Sequence, residues 1–179
     1  MIFTLLYLGF EPRIASETFD SAQSRMTRIL SLIGDCTFSI HDLSRISSSK
    51  KGEPSRFNMP FELGVDYGSK CFTTGPLQNK KFLILETEKY RYHKSLSDLS
   101  GHDIKHHSNN PAHIPKIIRD WLISDIDGPS IKGPSAIWYS FIDFQACLHD
   151  RLISQGHSED DITGLPIPQF IGEVKAYLS

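Results

Sequence analysis

Apolar side chains recur along this chain in two periods, and the alternation between the periods predicts the order of elements. Ile2 to Leu8 reads as the end of a buried helix stopped at Gly9, and Phe10 to Ala15 as a short strand. Met26, Ile29, Leu30 and Ile33 form a helical stripe that Gly34 closes, predicting a helix over 20–34. Residues 37–44 alternate, with Phe38 and Ile40 on one side, and predict a strand. A Ser-, Lys-, Gly- and Pro-rich loop over 45–55 follows, then a helix from Met59 to about Lys70. After a break at Gly75–Asn79, the apolar run within Lys81–Glu86 has the composition of a buried parallel strand. Tyr90–Leu99 reads as helical up to Gly101, and 102–110 as polar and irregular. Ile114, Ile117, Ile118, Trp121 and Leu122 mark an amphipathic helix. Beyond a Gly/Pro linker at 125–134, two more helices are expected, over 135–155 and 168–179.

Helices alternating with strands over the first two thirds argue for an α/β domain with a parallel sheet, spanning 1–124. Residues 125–179 read as a helical C-terminal extension that covers the sheet or docks a partner. The chain has 179 residues, 39% of them hydrophobic and 22% charged, which is the composition of an ordinary globular domain. Its formal net charge is −2 with no basic tract, so nucleic acid is an unlikely partner. The apolar N-terminal segment is too short to span a bilayer and lacks the basic start and cleavage site of a signal peptide, so no membrane is expected. Cys36, Cys71 and Cys147 are far apart and outside any CxxC motif, which fits a reducing cytoplasm.

The candidate chemistry gathers around one helix start. Arg56-Phe57-Asn58-Met59-Pro60-Phe61-Glu62 places Asn58 as an N-cap, Pro60 in the first turn and the Glu62 carboxylate at the positive end of the helix dipole. Asp42 and Ser44 come at the carboxyl end of the preceding strand, where open α/β sheets bind ligands. Two carboxylates at one small ligand can cleave a glycosidic bond, one attacking or stabilising the sugar cation and the other positioning a hydroxyl or moving a proton. Arg13, at the end of the first expected strand, could reach the same rim and meet a phosphate or carboxylate. Each residue also has a plainer use: Glu62 as a dipole complement, Asp42 and Ser44 as turn formers, Arg13 as a solvated cation.

The run Phe61-Glu62-Leu63-Gly64-Val65-Asp66-Tyr67-Gly68, followed by Lys80-Lys81-Phe82-Leu83-Ile84-Leu85, resembles the nucleoside 2-deoxyribosyltransferases. That resemblance implies a Rossmann-like or flavodoxin-like three-layer sandwich, Glu62 as the nucleophile toward the sugar, and Asp42 as its substrate-positioning partner. NAD-cleaving TIR domains share the layout and a catalytic glutamate. Further pieces, Phe38–Arg45, Arg56–Gly64, Tyr90-Arg91-Tyr92, Ser97–Gly101 and Arg119–Leu122, are similar to an uncharacterised bacterial family without an established activity. Members of that family usually begin with another strand and a Pro-Phe-Asp turn before the first helix, so the expectation is either a truncated start or a sheet that lacks its first strand, which would leave an open edge or a place for another chain. The transferases also tend to carry a small Gly-rich turn where this chain has Asn58-Met59-Pro60, bulk that would narrow the space for a base.

Other motifs weigh less. His102, His106, His107 and His113 lie in a polar loop without the spacing of a metal site, so no metal is expected and no cofactor is implied. His41 points by alternation to the opposite face from Asp42, and Asp42 is the residue expected at the pocket. Tyr90-Arg91-Tyr92 could stack on a base and hold a phosphate, or simply start a helix. Ser44 has no nucleophile-activating partner legible in sequence. The expectation is N-glycosidic cleavage or deoxyribosyl transfer on a nucleoside or nucleotide, NAD included. Glu62 and Asp42 would be catalytic, and Ser44, Asn58 and Arg13 would orient the substrate. The alternative is a non-catalytic nucleotide-sensing or protein-interaction module in bacterial defence or stress signalling. A homo-oligomer would suit either.

Overall fold

The computed structural model describes residues 1–17, 20–46, 56–125 and 132–179. The expected loop at 45–55 and linker at 125–134 lie largely outside these residues. The described chain is α/β with a three-stranded parallel sheet. It groups into two compact units, residues 21–113 and residues 1–20 with 114–179.

Residues 21–113 contain the sheet. Helix α2 (Arg25–Asp35) begins where the Ser24 side chain accepts the Thr27 N–H at 3.1 Å, a cap that starts the helix later than apolar spacing alone suggests. Strand β1 (Phe38–Asp42), helix α3 (Asn58–Phe72), strand β2 (Lys81–Glu86) and the two-residue strand β3 (Lys105–His106) follow. The sheet order is β1-β2-β3, all parallel, with Phe38 opposite Lys81, Asp42 opposite Leu85, and Glu86 opposite His106. β1 bonds directly to β2, so no gap is left between them for a missing strand.

Two expectations fail within this unit. The stretch 90–101 is not one helix. Tyr90 takes a left-handed φ of 65°, which breaks regular winding, and only short 3₁₀ turns form at Arg91–Lys94 and Ser97–Leu99. The polar stretch 102–110 is not wholly irregular, because Lys105–His106 pairs with β2 and the His107 and Ser108 N–H groups extend the ladder onto Glu86 and Thr87.

The core of this unit joins Leu43, Ile46, Leu63, Ile84 and Tyr92, with Met59, Leu96, Leu99 and Ile104 against it. Helix α3 therefore lies on the face of β1 that carries Leu43. By alternation Ser39 and His41 share that face, while Phe38, Ile40 and Asp42 point to the other.

The second unit is helical: α1 (Ile2–Tyr7), α4 (Ile114–Leu122), α5 (Pro134–Ser154), α6 (Glu159–Thr163) and α7 (Ile167–Leu178). α1 ends in a Schellman-type turn, with the Phe10 N–H on Leu5 and the Gly9 N–H on Leu6 while Gly9 takes φ 84°. Phe10–Ala15 is not a strand. Pro12 has no N–H to offer a ladder, and Ile14 and Glu17 bond to each other. Phe3, Ile137, Phe144, Leu148, Leu152 and Val174 form this unit's core, with Phe3 and Phe144 rings 5.5 Å apart. No described helix is long and apolar enough to cross a membrane.

Candidate functional site

Two polar clusters share the sheet and differ in burial. The first lies under α3. Lys80 and Asp66 are fully buried and His41 nearly so. Asp66 Oδ1 accepts from Lys80 Nζ at 2.7 Å, and Asp66 Oδ2 accepts from His41 Nε2 at 3.0 Å. A carboxylate has no hydrogen to give, so the His41 proton in this bond is on Nε2. Lys80 also donates to the Ile33 carbonyl at 2.6 Å, tying α2 to the start of β2. Burial works to raise the Asp66 pKa. Hydrogen bonds from His41, Lys80 and Ser39, and the Lys80 charge, overcome it and bring the pKa from 3.8 to about 2. His41 Nδ1 is buried with no hydrogen-bond partner.

The second cluster sits at the carboxyl ends of the strands. Asp42 closes β1 and remains one third exposed. Its Oδ1 accepts the Ser44 N–H at 3.0 Å, an Asx turn, and also the Ser44 hydroxyl. Ser44 Oγ stands 2.7 Å from His107 Nε2. The hydroxyl has one proton and gives it to a carboxylate, which only accepts, so His107 is the donor to Ser44. The proton order His107 to Ser44 to Asp42 is the reverse of an activated serine, in which histidine would accept.

This arrangement is held from beneath by Glu86 and Arg91. Glu86 is fully buried at the end of β2 and accepts a fork from Arg91 at 2.6 and 3.1 Å, as well as the Thr87 N–H at 2.5 Å. Arg91 reaches on to the Ser44 carbonyl at 2.5 Å, pinning the turn after β1 to the end of β2. The aromatic-basic run at 90–92 thus serves the fold of the strand ends: Arg91 is committed to Glu86, and Tyr92 is buried in the core.

The residues singled out from sequence divide among three places. Asp42 and Ser44 are together, as expected. Glu62 is not with them. α3 begins at Asn58, so Glu62 lies in its second turn and the first turn holds no acid. The helix-dipole role falls away, since that effect is confined to the first turn. Asn58 is the first helical residue, and Phe57 occupies the N-cap with no side-chain bond. Glu62 Oε1 lies 2.9 Å from an Arg25 guanidinium nitrogen on α2, but the contact lacks hydrogen-bond geometry and that buried oxygen has no hydrogen-bond donor. Both helices lie on the His41 face of β1, whereas Asp42 points to the other. Arg13 belongs to the other unit, where its hydrogen bond to Glu17 at 2.7 Å holds the Glu17 carboxyl below its ordinary pKa.

The histidines scatter. His107 meets Ser44, His113 Nδ1 bonds the His107 carbonyl at 3.0 Å, and His102 Nδ1 bonds the Leu99 carbonyl at 3.1 Å. Among the described residues no group of three or more His, Cys, Asp or Glu side chains is arranged to hold a metal ion. His107 and Arg91 are the site residues that sequence reasoning missed as a set. The available signal was their position just beyond two strand ends, and it required seeing Lys105–His106 as a strand. No protein-family model, curated protein or solved structure matches this chain.

Proposed function

We propose that residues 21–113 bind a nucleoside or nucleotide at the carboxyl edge of the parallel sheet without breaking its N-glycosidic bond. The unit would belong to a Rossmann-like three-layer protein of the reducing cytoplasm. The observation that carries this reading is the His107–Ser44–Asp42 chain at the strand ends, with a partly exposed carboxylate where a ribose hydroxyl would donate. Binding rather than turnover is favoured because the two acids lie on opposite faces of β1, and Asp42 is already hydrogen-bonded to Ser44 while Glu62 is paired by charge alone with Arg25.

The second reading is N-glycosidic cleavage or deoxyribosyl transfer with Glu62 as nucleophile. It draws on one observation, the Glu62 carboxylate oxygen that no donor satisfies. One experiment separates the two. Adenosine, deoxyadenosine, AMP and NAD are titrated calorimetrically into the protein, and the mixtures are then chromatographed for free base. Binding that Asp42→Asn weakens about tenfold or more, with no base released, supports the sensor. Base release that Glu62→Gln abolishes supports the enzyme. Absence of binding and of release across the panel overturns both.

A further inference from the structure

Helix α5 is apolar on two sides, and among the described residues only one of them is packed. Its inner stripe, Ile137, Phe141, Phe144, Leu148 and Leu152, supplies the core of its own unit. A second stripe runs along the outside: Tyr139, Ile142, Ala146, His149 and Ile153, spaced alternately three and four residues apart. Tyr139 is 66% exposed, and Ile142 and Ile153 are each 42% exposed. Single exposed apolar residues are ordinary, but Tyr139, Ile142, Ala146 and Ile153 share one seam about 20 Å long at the helical rise of 1.5 Å per residue, interrupted only at His149. The neighbouring α4 shows the usual pattern, with Ile118 and Leu122 buried and the ion-paired Lys116 and Asp120 outside.

The three-four spacing is that of the seam between two packed helices, where apolar knobs fit holes on the facing helix. The charges beside the seam choose the partner. Asp143 and Asp150 are exposed one residue beyond Ile142 and His149, the flanking position where coiled-coil partners form ion pairs. Glu159, Asp160 and Asp161 continue the acidic character on α6. Nearby cations are engaged internally, Arg151 with Glu173 and His149 with Asp150 and Glu159. A second copy of the chain brings Asp143, Gln145 and Asp150 to the same flanks and no cation, and in the antiparallel orientation acid meets acid.

We infer that the outer face of α5 docks an amphipathic helix of another protein, with apolar residues at three-four spacing and Lys or Arg on their flanks. His149 is the polar break in the seam, of the kind that sets the register of two helices. This surface does not depend on the sheet-edge site.

The test uses the full chain and two labelled peptides of about 24 residues with the same apolar heptads, one flanked by Lys and Arg and one by Glu. Fluorescence anisotropy should show the basic peptide binding at least tenfold tighter than the acidic one, with the preference shrinking as salt is raised. Ile142→Glu should abolish binding, and its unchanged circular dichroism would show that the exposed position leaves the fold intact. The double variant Asp143→Lys, Asp150→Lys should exchange the preference toward the acidic peptide. Equal affinity for both peptides, or binding that survives Ile142→Glu, would overturn the inference. So would self-association in sedimentation that Ile142→Glu removes, because the occupant would then be a second copy.

Discussion

His41 and Asp42 are neighbours in sequence and part company at the sheet. His41 turns under α3 to meet Asp66 and Lys80, all three buried, while Asp42 turns the other way to meet Ser44 at a partly exposed strand end. Each cluster is built from an Asp, a His and a third polar group. Burial is what separates their uses. In the first cluster every charge has a partner because an unpartnered one would cost several kcal/mol, and the result ties α2, α3, β1 and β2 together. In the second, water reaches Asp42, so its bonds can be exchanged for those of a ligand at small cost.

The contrast breaks most visibly at Asp66. Asp66→Ala leaves Lys80 buried without its counter-charge and should destabilise the protein by about 3–5 kcal/mol, a large part of a typical domain's stability. Chemical denaturation measures the loss. Acid should reveal the same carboxylate more gently. Its folded pKa of about 2 lies below the ordinary 3.8, so its contribution is full above 3.8 and is lost as pH falls through about 2. That contribution is about 2 kcal/mol, and the acid-side slope of stability against pH should flatten in Asp66→Asn. Asp42→Ala should cost about 1 kcal/mol or less, the worth of one partly exposed Asx turn, while weakening nucleoside binding about tenfold or more. Glu62→Gln should be the mildest, within about 1 kcal/mol in stability, because its Arg25 partner is more than half exposed. Its nucleoside affinity should stay within about twofold, since the acid lies across the sheet from Asp42.

Much of this architecture was legible from periodicity. Lys81–Glu86 is a strand with the expected limits, and the helices of α3, α5 and α7 fall within a few residues of the apolar pattern. Alternation alone assigned His41 and Asp42 to opposite faces. The misses have local causes. Lys105–His106 is too short and too polar to carry a strand signature, so the approach of His107 to Ser44 could not be read. The N-cap of α3 is Phe57 and not Asn58, a shift of one residue that moves Glu62 from the edge of the first turn into the second. Asp66 and Lys80 carry no sign in sequence of their burial, because a paired buried charge and a solvated one look alike until the fold brings partners together.

On the proposed reading, the partly exposed set binds a nucleoside while the buried set holds the fold. Calorimetric titration of adenosine, AMP and NAD into wild type and Asp42→Asn, with denaturation midpoints taken on the same samples, tests it most directly. The expected result is an affinity lowered about tenfold or more at an unchanged midpoint. Unchanged affinity in the variant, or no binding by the wild type, would contradict it.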